Sequence, residues 1–353
     1  MNDMLTSRQQ SILRLIIQNF TQTGSPVGSK KLMEEGIDVS SATIRNEMKA
    51  LEDLGLLQKT HSSSGRIPSL LGYRYYVDHL LQPSRVNQRE IQKIRRSFQG
   101  EFHELNEIMK QSVDILSDLT SYTALSLGPD VKDRRLTGFR IVPLNRRQVV
   151  AILVTDKENV ESQVFEIPAS VSGADLEKVV RILNDKLIGE PLTTVYQKLH
   201  TEMPIFLRKY FQTPDGILTL VDTMLGRAFE EKVFVGGRMN FVDFEPAQDV
   251  SQFKLMYTLL KDPEELTQLL IPVDQGIQIR IGDELGNELF SNMSLIQASY
   301  QIDGHGTGTI ALLGPTNMQY SRLFSLVDAF RHELAAKVAD YYKSLDETGG
   351  WNQ

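Results

Sequence analysis

"SSATIRNEMKALEDLGLLQKTHSSSGRIP", residues 40–68, decides how the first part of the chain is read. Ser40 is a good helix N-cap, and Val39 before it pairs with Ile44 as a hydrophobic staple. Ile44, Met48 and Leu51 fall at i, i+4 and i+7, so they share one apolar face. At about 100° per residue, Ala42, Asn46 and Lys49 lie on the opposite face, flanked by Thr43 and Arg45. Gly55 is a stop signal. "LLQKTH" (56–61) and "RIPS" (66–69) then read as two short strands joined by "SSSG".

Upstream, residues 5–20 read as an amphipathic helix that Thr6 or Ser7 caps. "TGSPVGS" (23–29) is loop chemistry, and a short helix follows at about 29–35, ended by Gly36. Downstream, "GYRYYVDHLL" (72–81) is an amphipathic helix. The order is helix, helix, helix, hairpin, helix. "QPSRVN" (82–87) reads as a linker and 88–120 as one long helix that Gly100 interrupts. Beyond 120 come four strand-like runs, "YTALSLG", "RLTGFRIVPL", "QVVAILVTD" and "VESQVFEIP". A helix at 174–189, a mixed segment at 190–247 and helices at 250–270 follow. Three more strands, "IQIRIGD", "SLIQASYQI" and "GTIALLGP", precede a closing helix.

The 353 residues are enough for two or three domains, with 41% hydrophobic and 24% charged residues. No apolar run approaches the ~18 residues of a membrane span, and the N-terminus lacks the blocks of a signal peptide. Cysteine is absent; this excludes disulfides, thiolate metal sites and Cys nucleophiles, and fits a cytoplasmic protein. The net charge of −7 hides an asymmetry. Residues 1–110 hold 15 Lys and Arg against 12 Asp and Glu, and the remainder holds 23 against 33. Two different tasks for the two parts are expected.

A helix offering Thr43, Arg45, Asn46 and Lys49 beyond the small residues Ser40, Ser41 and Ala42 suits a major groove. Arg or Lys pairs with guanine O6/N7, and Asn with adenine N6/N7. The preceding short helix, beginning at Ser29 and Lys30, would brace it, as in a helix-turn-helix. The hairpin carrying His61, Ser62, Ser63, Ser64, Gly65 and Arg66 suits a wing. Hydroxyls and backbone N–H groups there approach phosphate, and the guanidinium reaches phosphate or a narrow minor groove.

Other candidates carry less. "DGHGTGTIA" (303–311) has neither triad partners nor a phosphate-loop lysine, and reads as a turn before a strand. The six histidines have no metal-ligand spacing, so no metal or cofactor is expected. No carboxylate pair is singled out, so no enzymatic activity is expected.

"PVGSKKL", "VSSATIRNEMKALEDLGLL", "THSSSGRIPSLLGYRYYVDHLL", "LVDTMLGRAF" and "GTGTIALLGPTNMQYSRLFSLVDAFRHEL" together resemble the HrcA family of heat-inducible transcription repressors. The resemblance implies an α+β chain. It would comprise a winged helix-turn-helix (1–81), a linker and long helix (82–120), a GAF-like antiparallel sheet domain (121–189 plus 248–353) and an inserted dimerisation domain (190–247). It further implies a homodimer on double-stranded DNA, at an inverted-repeat operator of chaperone operons, with the chaperonin GroEL promoting the active repressor. The helical face of Ile217, Leu220, Val221, Met224 and Leu225 is the expected dimer interface. The competing reading is a small-molecule-sensing GAF-like regulator or enzyme in which DNA binding is secondary.

Overall fold

The computed structural model describes residues 5–60, 65–100, 102–129, 135–145, 147–156, 160–166, 172–207, 233–243, 250–270 and 276–348. Helix α1 (Ser7–Thr23) begins where a capping box closes: Thr6 Oγ1 accepts from Gln9 N, and Gln9 Oε1 accepts from Thr6 N. Helices α2 (Ser29–Glu34) and α3 (Ser41–Asp53) follow. Ile12, Leu13, Ile16, Leu32, Ile44, Met48 and Leu51 are at most 2% exposed and form the centre of this three-helix head. Strands β1 (Leu57–Lys59) and β2 (Arg66–Pro68) pair antiparallel. Val27 adds a bridge to Arg66 through two 2.9 Å backbone bonds. Helix α4 (Leu70–Tyr75) starts two residues before the expected helix, because the Ser69 hydroxyl accepts from Gly72 N. It ends in a π turn, Tyr76–Leu80.

The expected long helix of 88–120 is two helices, α5 (Gln88–Ser97) and α6 (Leu105–Thr120). The break has an apolar cause. Phe98 is 5% exposed, with its ring 5.6 Å from that of Phe330. The Ser97 carbonyl, left without a helical partner, accepts from Gln111 Nε2 at 2.7 Å. After β3 (Thr123–Leu127) the chain enters a second compact unit.

That unit, 129–232 with 301–307 and 342–353, contains β4 (Leu136–Pro143), β5 (Gln148–Thr155) and β6 (Val160–Glu166), an antiparallel sheet of its own. Helices α7 (Gly173–Leu187), α8 (Leu192–Thr201) and α9 (Met203–Leu207) follow. Phe139, Val149, Ala151 and Leu153 alternate along the strands and pack with Leu176, Val179, Leu183 and Val195 of the helices. On the opposite sheet face Val142 and Val164 are 45% and 50% exposed.

The chain then returns with β7 (Val233–Gly236), α10 (Val250–Leu259), α11 (Pro263–Leu269), β8 (Ile277–Ile281), β9 (Met293–Ile302), β10 (Gly306–Pro315) and α12 (Tyr320–Thr348). The sheet order is β7-β3-β10-β9-β8. Leu125, Leu295 and Leu313 pack with Met256, Leu259 and Leu266 of α10 and α11 on one face. On the other face, Ser126 meets Met109 of α6, and Ser294 meets Tyr320 of α12. Both faces are covered, so β3 is buried throughout.

The fold is thus α+β, with an N-terminal winged helix and an interrupted antiparallel sheet. The expected insertion at 190–247 is moved by the strand pairing. β4, β5 and β6 bond only to one another among the described strands, so the excursion begins near 129. β7 pairs with β3 and belongs to the five-stranded sheet, so the excursion ends at 232.

Candidate nucleic-acid interface

Helix α3 is set by three local devices. Ser40 caps it, accepting from Thr43 N at 3.2 Å, and its hydroxyl also meets Thr43 Oγ1 at 2.9 Å. Ile44, Met48 and Leu51 anchor the inner face. Leu54 N bonds Ala50 O, and Gly55 takes φ +75 to leave the helix, a conformation costly for any residue with a Cβ.

With the inner face buried, Ala42, Arg45, Asn46 and Lys49 are exposed together, and Lys30 is exposed on α2. Ser41 and Thr43 are half-buried. Ser29 is 7% exposed, so its expected place at the interface is taken by an internal role. Its hydroxyl meets Ser41 Oγ at 2.9 Å and accepts from Arg45 Nε at 3.3 Å. The pair of helices is thereby held in register by hydroxyls, and the base of the Arg45 guanidinium is oriented by one of them.

Of the three acidic residues of α3, Asp53 is exposed at its far end, and the other two are drawn onto cations elsewhere in the head. Glu47 meets Arg8 at 3.3 Å and accepts from Gln9 Nε2 at 3.1 Å, tying α3 to α1. Glu52 Oε2 takes Arg66 Nε at 2.8 Å and Nη2 at 2.7 Å. The sequence shows the opposite charges of α1, α3 and the hairpin but not which of them meet. Arg66, expected at phosphate or a minor groove, is only 14% exposed at its side chain and is bound to α3 instead. Gly65 is buried against Pro26. His61, Ser62, Ser63 and Ser64 lie outside the described residues.

A helix bearing Arg, Asn and Lys on its free face, second of a braced pair and followed by a two-stranded wing, is the reading head of a DNA-binding transcription regulator. Residues 4–77 match the family model described as the winged helix-turn-helix transcription repressor, HrcA DNA-binding. Residues 106–324 match the HrcA protein C terminal domain. The heat-inducible transcription repressor HrcA of Enterococcus faecalis is 64% identical over 345 residues, 97% of this chain and 99% of that protein. The one from Tetragenococcus halophilus is 61% identical over 346 residues, 98% of this chain and all of that protein. A crystal structure of a hypothetical protein at 2.2 Å resolution shares the fold, with a TM-score of 0.60 and 22% identity over 96% of this chain and 99% of that one. The chain belongs to the HrcA family of heat-inducible transcription repressors, which is not a family of enzymes. No described helix is long and apolar enough to cross a membrane.

Proposed function

We propose that the protein represses transcription of chaperone operons by binding an inverted-repeat operator as a homodimer, with α3 in the major groove. The observation that carries this reading is the joint exposure of Arg45, Asn46 and Lys49 on α3 while Glu47 and Glu52 are paired away from that face. Lys30, exposed on α2, completes the surface facing the duplex. One head of this size reads few base pairs, so two heads related by a twofold axis supply the longer site that specificity needs.

Self-association is assigned to the second unit. Its support is an apolar cross-strand row on the outer face of the three-stranded sheet, Val142, Val150 and Val164. The expected interface residues Ile217, Leu220, Val221, Met224 and Leu225 lie outside the described residues. Promotion of the active repressor by GroEL rests on the family resemblance alone. Cytoplasmic localisation is assigned on the same DNA-bound role.

Footprinting on DNA upstream of the organism's own chaperone genes, with and without GroEL, tests the reading. A twofold-symmetric protected site, strengthened by GroEL, is expected. Protection indifferent to sequence would reject it.

A further inference from the structure

The positive charge of the N-terminal region is not on the reading head. Residues 1–81 hold nine Lys and Arg against eight Asp and Glu, whereas residues 82–100 hold five against one. Within the head, Arg8, Lys31, Arg66 and Arg74 are already in ion pairs. Duplex DNA carries a negative charge about every 1.7 Å of its axis, and neutralising it supplies essentially all of non-specific affinity. A nearly neutral head leaves much of that attraction to another element.

The surplus sits on α5. Arg89, Gln92, Lys93 and Arg96 recur at i, i+3, i+4 and i+7, so they share one face. All four are exposed and, with Ser97, line a shallow depression of about 440 Å³. Arg85, just before the helix, is exposed as well.

The other side of α5 is tied down. Ile94 is fully buried, Arg95 bonds Glu333 at 2.8 Å, and Glu90 takes Arg322 at 2.9 Å. The nearby carboxylates are thus used by cations outside the stripe. Arg85, Arg89, Lys93 and Arg96 have no ionic partner among the described residues. Like charges at helical spacing repel unless a polyanion offsets them.

We propose that the cationic stripe of α5 is a second DNA contact, binding backbone phosphates of the duplex beside the base pairs that α3 reads. This rests on the DNA-binding reading of α3. The connector between head and stripe is short and held, with Ser84 N donating to Ser321 O at 3.4 Å. Head and α5 belong to one compact unit. The polyanion brought to this unit is therefore the duplex that the head has docked on. Arg89 to Arg96 spans about 10 Å of helix, roughly three base-pair steps of duplex axis. Long flexible cations on such a span suit phosphates rather than base edges.

The test uses the full chain with Arg89→Gln, Lys93→Gln and Arg96→Gln together, on operator-bearing and random duplexes across a salt series. Affinity should fall on both DNAs with the operator-to-random ratio kept. The slope of log K against log salt should shallow by about 0.9 for each phosphate no longer neutralised, so by two to three per protomer engaged. Circular dichroism and the melting midpoint should stay at wild-type values, since none of the three side chains holds an ion pair with a described residue. An unchanged slope overturns the proposal, and so does a change in sedimentation, which would make the stripe a protein contact. Arg45→Ala, run in parallel, separates the two readings. It should lose operator preference at a near-wild-type slope. If it keeps that preference while the triple variant loses slope, the α3 reading fails and the stripe stands.

Discussion

Arg45 illustrates how one side chain is prepared for recognition. Its Nε is spent on Ser29, itself buried and bonded to Ser41, so the guanidinium leaves α3 along a supported path. Asn46 beside it is exposed. Arg45→Ala and Asn46→Ala should each weaken operator binding by about 1–3 kcal/mol, the value of a bidentate base contact. Titration on operator and random DNA decides: an equal loss on both would make the residue a phosphate contact, and no loss would remove it from the interface. Arg66 should behave differently. Its hold on Glu52 joins the wing to α3, so Arg66→Ala should lower the stability of the head by about 1 kcal/mol, in the range of a partly exposed charged hydrogen bond. The salt slope of DNA binding should stay near wild type. A slope shallower by about one would instead place the guanidinium on a phosphate.

At the scale of elements, the wing and α4 meet with no space to spare. A Cβ on Gly72 would lie well inside contact distance of the Leu56 carbonyl oxygen, which also accepts from Ser69 N at 3.2 Å. Because that neighbour is backbone, it yields only if the wing shifts. Gly72→Ala should therefore cost about 1–3 kcal/mol, as overpacking does, and thermal unfolding should show a lowered midpoint. A midpoint at the wild-type value would mean that the wing relaxes freely. The same dependence on neighbours explains the break between α5 and α6. Apolar steps of three and four continue across 98–104, so periodicity reads one helix; burying Phe98 against Phe330 decides for two.

For the whole molecule, the question is how the head is joined to the interrupted sheet within its compact unit. Arg74 Nη1 donates to Ile279 O at 2.7 Å and meets Glu284 at 3.1 Å, while Asp78 holds the rest of the guanidinium. Tyr73 packs its ring 5.8 Å from that of Tyr320, and burial pushes its hydroxyl well above the usual tyrosine range. Arg74→Ala should remove about 2 kcal/mol of charged hydrogen bonding from this junction. Calorimetry should then resolve head melting ahead of the sheet. A single transition at the wild-type temperature would show that the tyrosine packing alone couples them.

Read alone, the residues determined what depends on near neighbours in the chain. The cap at Ser40, the inner face of Ile44, Met48 and Leu51, the exit at Gly55 and the two wing strands all follow from spacing and turn chemistry, as does the exposure of Arg45, Asn46 and Lys49. Tertiary structure decided what depends on partners far along the chain. Strand runs from β3 to β6 look alike by period, and only hydrogen bonding sends β3 to β10 and β7 while β4, β5 and β6 pair among themselves. Ser29 and Arg66 carry chemistry that suits DNA, but burial of the first and the Glu52 partner of the second turn both inward. A side chain's type states what it can bind, whereas the atoms within about 3 Å in the folded chain decide what it does bind.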